Sequence, residues 1–323
     1  MTKKDGSVRV CVDYRKVNEV TAIPAVPIPR VKELLQKLGC QKLYHSFDLA
    51  NGYHNVVLEE SAQKKTAIIL PDDLGLPARQ FEFLRLPFGL AAAPGMFQRI
   101  VDRLMMPSVN GDPDADLGPT TSSYLDDCCI AGDSFDVMLQ RLVAFFNRLR
   151  AAGLLLKAKK CELFQPSVVY LGHKLCAEGI KVEDSKIEKV RHWPPPVNVK
   201  ELRTWLGFVT FYASFIRGFA SICSPLYQLL HKNVPFKWSG ECQQAFEKLT
   251  QLVTQAPVLG TPRVDAGPFV LTSDASFTGF GATLAQLQNG KEVLISFWSK
   301  TLNAAQKNYC VTNLELTAAY EAV

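Results

Sequence analysis

The stretch Tyr124-Leu125-Asp126-Asp127 decides how the rest of the chain is interpreted. It places two adjacent carboxylates between an aromatic residue and the apolar run that begins at Cys128. Because side chains alternate between the two faces of a strand, neighbouring acids can share one face only where the chain turns. A tight hairpin with both acids at its tip would bring at least one carboxylate within reach of a divalent cation, as in two-metal phosphoryl transfer. The competing interpretation is a surface turn, since turns favour Asp.

Length and composition indicate a globular chain of two or three domains. The chain has 323 residues, of which 47% are hydrophobic and 21% charged, which is ordinary for a protein with a sizeable core. The net charge of +5 permits a polyanionic partner without requiring one. No apolar run reaches the roughly 18 residues that cross a bilayer, and the first residues lack the apolar segment of a signal peptide. We therefore expect no membrane association.

Hydrophobic periodicity and turn residues predict a mixture of strands and helices. The predicted strands are Val8–Tyr14, Leu43–Leu49, Lys65–Leu70, Gln80–Leu86, Val168–Leu171, His173–Leu175 and Phe269–Asp274. The predicted helices are Val31–Leu38, one that starts after Pro94, Phe135–Ala152, Asn313–Val323 and a largely helical segment over Val199–Leu230. The polar segment Pro107–Ser123 predicts a loop, and the spacing of its acids does not fit a calcium-binding loop. The prolines after Trp193 predict a linker.

Several further motifs accompany the acid pair in a fixed order along the chain. They are Val12-Asp13-Tyr14-Arg15-Lys16-Val17-Asn18, Asp48-Leu49-Ala50-Asn51-Gly52-Tyr53-His54, Leu86-Pro87-Phe88-Gly89-Leu90, Ala93-Pro94-Gly95-Met96-Phe97-Gln98, Tyr170-Leu171-Gly172-His173, and Leu202-Arg203-Thr204-Trp205-Leu206-Gly207 with Phe211-Tyr212. This ordered series, which covers essentially the whole chain, resembles the reverse transcriptase of gypsy-type LTR retrotransposons and retroviruses.

The resemblance implies an α+β fold class, a right-hand polymerase (partial fingers, palm, thumb) followed by an incomplete α/β ribonuclease H-like domain. The expected division is fingers and palm over residues 1–175, thumb and connection over 176–236, and the ribonuclease H-like domain over 237–323. The fingers lack their first strand in this comparison. Residues 119–123 are polar where the family has an apolar strand.

By this resemblance, Asp48, Asp126 and Asp127 form the polymerase centre. Asp48 and Asp126 would hold two Mg²⁺ ions, for which Mn²⁺ can substitute, and the Leu49 carbonyl would add a backbone ligand. Asp127 would be the third acid beside them. Such a site transfers a phosphoryl group mostly by positioning and charge stabilisation.

The resemblance also implies residues that bind the incoming deoxynucleoside triphosphate. Tyr53 would pack against its sugar and exclude a 2′-hydroxyl, the alternative being a plain core aromatic. Arg9 and Lys4 would contact the triphosphate, the alternative being exposed strand charges. Phe88 would contact the nucleotide or the template.

Other segments would handle the duplex and the leaving group. Tyr170, Leu171, Gly172 and His173 match the primer grip, and Val199–Leu230 would be a thumb beside the minor groove. Lys159 or Lys160 would protonate pyrophosphate, or would simply belong to a solvated helix end.

The third segment resembles a ribonuclease H. Asp274 would lie at the end of its first strand and Glu315 on its helix, matching the first two acids of a two-metal nuclease. The sequence stops at Val323, before the later acid and the basic residue that the family needs. We therefore expect the nuclease not to function in this chain, which would be a fragment.

The function implied is an RNA-directed DNA polymerase that extends a primer on an RNA or DNA template. Its partners would be a template–primer duplex, deoxynucleoside triphosphates, and the protease and integrase segments of a parent polyprotein. It would act in the cytoplasm within retrotransposon particles, or in the nucleus. One alternative is a truncated or decayed remnant that binds nucleic acid without polymerising. Another is an unrelated hydrolase, for which His54 is the available general base.

Overall fold

The computed structural model describes residues 11–50, 52–70, 78–106 and 116–323. The chain divides into two compact units, residues 1–168 and 169–323. The α-helices of the described ranges are α1 (Arg15–Glu19), α2 (Val31–Leu38), α3 (Glu60–Lys65), α4 (Ala93–Met105), α5 (Phe135–Ala152), α6 (Asp184–Arg191), α7 (Val199–Thr210), α8 (Phe219–Gln228), α9 (Gly240–Thr254) and α10 (Val311–Ala322). The strands are β1 (Leu43–Asp48), β2 (Ile68–Leu70), β3 (Arg79–Phe81), β4 (Thr121–Tyr124), β5 (Asp127–Gly132), β6 (Glu162–Gln165), β7 (Ser167–Tyr170), β8 (His173–Cys176), β9 (Gly179–Val182), β10 (Phe269–Ala275), β11 (Gly279–Gln288) and β12 (Lys291–Thr301).

A four-stranded sheet in the order β4-β5-β1-β6 organises the first unit. Strands β1 and β5 are antiparallel, so that Leu43 lies opposite Gly132 at one end and Asp48 opposite Asp127 at the other. The hydrophobic core of this unit joins side chains of the sheet to those of α4 and α5. Phe47 of β1 packs against Phe145 of α5 with ring centroids 4.5 Å apart. The sheet therefore holds its acidic end on a well-packed base.

Helix α5 has the bounds that its sequence predicts. Its first turn is capped by Ser134, whose side chain accepts a hydrogen bond from the Val137 N–H group. It ends at Gly153, whose left-handed backbone, with φ of 65°, terminates the helix. The predicted helix Val31–Leu38 also has its predicted bounds, as α2.

The predicted strand Val8–Tyr14 is wrong over residues 11–14, which are irregular; residues 8–10 lie outside the described residues. Asp13 accepts hydrogen bonds from the backbone N–H and the guanidinium of Arg15, and this turn starts α1. Tyr14 is buried, and its hydroxyl donates a 2.7 Å hydrogen bond to the Thr66 carbonyl. Within the described residues, the apolar character of Tyr14 reflects this anchoring and not a strand.

The predicted loop Pro107–Ser123 is wrong at its end, because Thr121–Ser123 belong to strand β4. These polar side chains are buried. The hydroxyl of Thr121 donates to the Leu117 carbonyl at 2.6 Å, and that of Ser123 donates to Asp102 at 3.3 Å. Local hydrogen bonds thus let Thr121 and Ser123 occupy positions where the family has an apolar strand, whereas the buried Ser122 hydroxyl has no hydrogen-bond partner among the described residues. Residues 107–115 lie outside the described residues.

The predicted strand pair around residue 75 is present but shorter than expected. Ile68–Leu70 pairs with Arg79–Phe81 in a two-stranded antiparallel sheet. The connecting residues 71–77 lie outside the described residues.

The second unit contains two three-stranded sheets and the helices between and after them. Strands β7, β8 and β9 form one sheet, and β10, β11 and β12 form the other, antiparallel one. Helix α8 packs on β12, where the Ala220 N–H donates a 2.9 Å hydrogen bond to the Ser299 hydroxyl. Helix α10 packs on β10 and β11 around Phe280, Leu314 and Ala318. The helical segment before residue 230 and the last sheet therefore share one compact unit.

Across the described parts of the chain, no helix combines the length and the apolar character that crossing a bilayer demands.

Candidate functional site

The acid pair lies on a hairpin, as the sequence predicts. Tyr124 of β4 pairs with Asp127 of β5, which leaves Leu125 and Asp126 as the turn. Leu125 adopts a φ of 52°, an uncommon conformation for a residue with a bulky side chain. The turn is fixed by two hydrogen bonds: the Leu125 N–H donates to the Gln98 side chain at 2.7 Å, and the Leu49 N–H donates to the Asp126 carbonyl at 2.9 Å. Residues from three elements therefore hold this turn in place.

Three carboxylates gather at this end of the sheet. Asp48, the last residue of β1, lies opposite Asp127, the first residue of β5. Asp126 precedes Asp127 in the turn, and its carboxylate lies against the backbone of Gly52. A Cβ atom added to Gly52 would stand 3.0 Å from one Asp126 carboxylate oxygen and 3.1 Å from the other. The structure thus brings together the three acids that the sequence singled out.

The charges of these acids influence one another. The pKa of Asp127 is raised by burial and by the negative charges of Asp48 and Asp126. For Asp48, burial acts to raise the pKa, but hydrogen bonds from Lys157 and Lys160 outweigh it, and the net pKa is lowered. The Lys160 ammonium is 2.7 Å from an Asp48 oxygen, and Lys157 contacts the other oxygen. Asp48 is therefore ionised and already paired with positive charge.

The donor set fits a hard divalent cation. Carboxylate oxygens together with a backbone carbonyl such as that of Leu49 are the ligands that Mg²⁺ prefers. Burial raises the Asp127 pKa, and the repulsion from Asp48 and Asp126 that adds to this shift is what a bound cation would relieve. As they stand, no three acidic, His or Cys side chains among the described residues are arranged to hold a metal ion. Lysines contact both Asp48 oxygens, and each oxygen keeps a further lone pair through which it can bind a cation.

An aromatic wall adjoins the acids. Tyr53 follows Gly52 in a short 3₁₀-helix over Gly52–Asn55 and is half-buried. Its ring lies 5.2 Å from that of Phe88 and 5.5 Å from that of Phe97. The ring of His54 meets Phe88 edge-on at 5.1 Å. Both predicted nucleotide-contacting aromatics are therefore in one cluster, and His54 has a packing role in it.

The loop that carries Phe88 is tied to an upstream motif. The Asn18 amide donates to the Gly89 carbonyl at 3.0 Å and accepts from the Ala91 N–H at 2.9 Å. Two motifs that lie some seventy residues apart in sequence are thereby joined. Arg9 and Lys4, the predicted triphosphate contacts, lie outside the described residues.

The predicted primer-grip residues form the turn between β7 and β8. Tyr170 and His173 are buried, while Leu171 and Gly172 make the turn. The Tyr212 hydroxyl donates a 2.9 Å hydrogen bond to the Gly172 carbonyl. His173 packs against the rings of Phe211 and Phe215. The turn is thus attached to the segment that follows α7.

A groove of about 470 Å³ runs beside this turn. It combines the two turn residues Leu171 and Gly172 with cationic and aromatic side chains of the neighbouring helices, namely Lys186, Lys189, Phe208, Phe211 and Tyr212. The Lys189 ammonium lies 5.1 Å from the ring centroid of Trp193 and 5.8 Å from that of Phe208. Cations beside exposed aromatic faces suit a sugar–phosphate backbone.

The two predicted nuclease acids lie on neighbouring elements of the second unit. Asp274 is near the end of β10 and opposite Gly281 of β11. Glu315 is exposed on α10, the helix that packs on these two strands.

Three residues at the polymerase-like end were not predicted in the roles that the structure gives them. Gln98 belongs to a quoted motif, but its hydrogen bond to the Leu125 N–H could not be foreseen. Lys157 and Lys160 lie at the end of a basic run, and only Lys160 of the predicted Lys159/Lys160 alternative contacts Asp48. Their approach depends on the pairing of Leu49 with Leu156 between distant segments.

Three acids at one end of a short antiparallel sheet, backed by two helices and followed by a separate unit, define a right-hand polymerase palm. The model of the family "Reverse transcriptase (RNA-dependent DNA polymerase)" matches residues 1–175, and the chain belongs to this family. The model "RNase H-like domain found in reverse transcriptase" matches residues 238–323. Domains of both kinds generally use divalent metal ions.

Relatives and solved structures agree with this assignment. The Retrovirus-related Pol polyprotein from transposon 297 of Drosophila melanogaster is 36% identical over 311 residues, covering 96% of this chain and 28% of the relative. The corresponding polyprotein from transposon gypsy is 29% identical over 96% of this chain and 29% of the relative. A foamy viral protease-reverse transcriptase in complex with double-stranded DNA shares the fold, with a TM-score of 0.87 and 24% identity over all of this chain and 54% of that one.

These comparisons confirm the predicted family and the predicted fold class, a reverse transcriptase with a ribonuclease H-like domain. The chain spans less than a third of the length of these curated relatives. The predicted domain boundaries at residues 175 and 236 and the roles of individual site residues stay predictions.

Proposed function

We propose that this chain is an RNA-directed DNA polymerase that extends a primer on an RNA or DNA template. The observation that carries the proposal is the convergence of Asp48, Asp126 and Asp127 at one end of β1 and β5. The aromatic pair Tyr53 and Phe88 adjoins them. Because the chain belongs to the reverse transcriptase family, we interpret this cluster as a site of phosphoryl transfer.

Each acid has a distinct part in the proposed site. Two Mg²⁺ ions, held by Asp48, Asp126 and the Leu49 carbonyl, would activate the primer hydroxyl and neutralise triphosphate charge, and Mn²⁺ would substitute for them. Asp127, whose pKa is raised by burial and by its acidic neighbours, completes the negative field that draws cations in.

The aromatic wall selects and positions the nucleotide. Tyr53 is braced between Phe88 and Phe97, so its ring is held rigidly where a sugar would pack. A rigid ring there would clash with a 2′-hydroxyl and select deoxynucleotides. Lys160 stands beside Asp48, and we assign proton transfer to the leaving pyrophosphate to it rather than to Lys159.

The groove of the second unit would bind the template–primer duplex without sequence preference. Lys186 and Lys189 would contact phosphates, and Phe208 and Phe211 would pack against sugars. Solved foamy viral relatives are complexes with double-stranded DNA and with an RNA/DNA hybrid, which supports this partner class.

Further partners follow from the polyprotein relatives. We propose that the parent product also supplies protease and integrase segments, and that the chain works in cytoplasmic retrotransposon particles or in the nucleus. Asp274 and Glu315 would be the first acids of the ribonuclease H-like site.

Primer extension on poly(rA)·oligo(dT) with Mg²⁺ or Mn²⁺ tests the polymerase proposal. Asp126→Asn should abolish extension while leaving duplex binding nearly unchanged, because the two hydrogen bonds that fix the turn use the Leu125 N–H and the Asp126 backbone carbonyl. Asp133→Asn is the matched control, since Asp133 is an exposed acid just beyond the opposite end of β5. It should extend primers at the wild-type rate.

Two results would overturn the proposal. Extension that persists in Asp126→Asn would separate the activity from the acid cluster. Absence of extension by the wild-type chain, with duplex binding intact, would favour the alternative of a remnant that binds nucleic acid without polymerising.

A further inference from the structure

A small polar cavity in the second unit is lined by residues from two different parts of the chain. Its volume is about 100 Å³, room for several water molecules. One side comes from the start of α8 and the residue preceding its cap, and the other from the end of β10 and the start of β11. The polar residues that line it are Arg217, Ser221, Thr272, Asp274, Ser276 and Thr283.

The two sides of the cavity are held together by specific contacts. The Ala220 N–H donates to the Ser299 hydroxyl of β12 at 2.9 Å, which fixes the first turn of α8 on the sheet. The Ser221 hydroxyl comes so close to β11 that a Cβ atom on Gly279 would stand 2.9 Å from it. Arg217 is therefore carried to the sheet by a fixed helix end and not by a long free loop.

The cavity is rich in hydrogen-bond donors without partners. Within the described ranges, no hydrogen bond or ion pair engages the side chains of Arg217, Ser221, Thr272 or Thr283. A guanidinium offers several donors in a planar fork that matches the oxygens of a phosphate, and hydroxyl groups add further donors. The donor set is therefore that of a phosphate site.

We propose that this cavity binds a phosphodiester group of a nucleic-acid strand, with Arg217 as its cationic partner beside Asp274. Asp274 contributes a carboxylate to the same lining, so the one cation and the one anion leave no net positive charge. A free phosphate ion would gain little from such a lining. A strand held elsewhere on the protein would bring its phosphodiester to the donors at small additional cost.

The consequence is that a residue outside the matched ribonuclease H-like segment, residues 238–323, would position the strand at the candidate acid of that segment. This inference rests on the proposed function in one respect, that the chain binds nucleic acid. It does not depend on polymerisation or on nuclease activity.

Binding of an RNA/DNA hybrid oligonucleotide, followed by fluorescence anisotropy across a KCl series in EDTA, tests the inference. Arg217→Gln should weaken binding roughly tenfold and reduce the slope of log affinity against log salt by about 0.9, the value for one phosphate contact. Lys291→Gln is the matched control. It removes one exposed charge at the opposite end of the β11–β12 hairpin and should leave the slope unchanged.

Three further variants make the test specific to the cavity. Asp274→Asn should tighten hybrid binding in EDTA, because it removes an anion next to the phosphodiester. That gain should shrink in the double variant with Arg217→Gln, a coupling that a purely structural role of Arg217 would not produce. Arg217→Lys should restore the salt slope but only part of the affinity, since it keeps the charge and loses the planar fork.

The outcomes separate this inference from the proposed function. A wild-type chain that fails to bind the hybrid would refute the proposed function itself. Hybrid binding with identical salt slopes for Arg217→Gln and Lys291→Gln would overturn only the cavity assignment. Inorganic phosphate that competes with the hybrid at low millimolar concentration, in the wild type but not in Arg217→Gln, would show a free-anion site and overturn the assignment to a strand.

Discussion

Gly52→Ala tests whether the position of the Asp126 carboxylate determines catalysis. Gly52 is buried, with a φ of 30°, and its backbone faces the whole Asp126 carboxylate. A new Cβ atom would meet the two oxygens at 3.0 and 3.1 Å and the carboxyl carbon at 3.2 Å. Because the obstacle is a complete planar group, the carboxylate has to retreat as a unit.

The size of the effect follows from these distances. Ordinary van der Waals contact of a Cβ atom starts at 3.4 Å, so Asp126 must shift by roughly 0.4 Å. Metal sites tolerate deviations of only about 0.2 Å, and a misplacement of about 1 Å costs on the order of 100-fold in rate. We therefore expect extension to fall roughly tenfold. The positive φ adds about 1 kcal/mol of backbone strain to the folded state.

Gly153→Ala separates the two contributions. Gly153 has a φ of 65° with nothing within 4 Å of an added Cβ atom, so the substitution strains the backbone without touching a neighbour. Urea unfolding and Mg²⁺-dependent primer extension should be measured on both variants. Both should lose stability, and only Gly52→Ala should lose activity. Equal activity of the two variants, or full activity of Gly52→Ala, would refute the reasoning.

Three further predictions concern the same unit. Tyr53→Ala should raise ribonucleotide incorporation, measured as the ratio of dNTP to rNTP extension efficiency, and an unchanged ratio would rule out a role in sugar selection. Gln98→Ala leaves the Leu125 N–H without its 2.7 Å acceptor and should cost about 1–3 kcal/mol in urea unfolding, together with slower extension; an effect on stability alone would deny Gln98 a positioning role. Burial lowers the pKa of His45 below its usual 6.5, so the unfolded chain binds this proton more readily. The free energy of unfolding should then fall as pH drops below about 6.5, by up to ~1.4 kcal/mol per pH unit, and the same dependence in His45→Gln would contradict this assignment.

Local signals explain which parts of the fold could be predicted. Helix α5 combines a capping Ser134, an apolar periodicity and a terminating Gly153, and all three operate within the segment itself. The predicted strand at Val8–Tyr14 failed over residues 11–14 because Asp13 turns the chain and Tyr14 is anchored by Thr66, some fifty residues away. Periodicity records that a residue is buried, and it does not record which distant group buries it.

Strand β4 is a second element that the local sequence could not predict. Thr121, Ser122 and Ser123 are polar and predict a loop, yet they pair with β5 and are buried. The hydroxyl of Thr121 is satisfied by the Leu117 carbonyl only once the chain has folded. Amino-acid composition could not reveal that the Thr121 hydroxyl has a buried acceptor, because this hydrogen bond forms only in the folded state.

The three acids of the candidate site were predicted from the sequence, whereas the contacts of the lysines with Asp48 were not. Asp126 and Asp127 adjoin one turn and Asp48 heads a motif, and the ordered series of such motifs along the chain identified the acids. The lysines that pair with Asp48 come from the segment after α5, which reaches β1 through the pairing of Leu156 with Leu49. A backbone hydrogen bond of 2.9 Å from the Lys157 N–H to the Asp48 carbonyl fixes that register.

This arrangement of charges indicates how a sheet end that carries three acids can fold. Three carboxylates at one end of a sheet repel each other, and the raised pKa of Asp127 reflects burial together with that repulsion. Lys157 and Lys160 supply two positive charges at Asp48, whose pKa they hold below its usual value despite burial. The opposite shifts at Asp48 and Asp127 show that the two lysines outweigh burial at Asp48, whereas at Asp127 burial and the neighbouring acids outweigh them. The sheet end can therefore form with the charge of Asp48 balanced by the lysines, while the repulsion between Asp127 and its neighbouring acids is one that a bound cation would relieve.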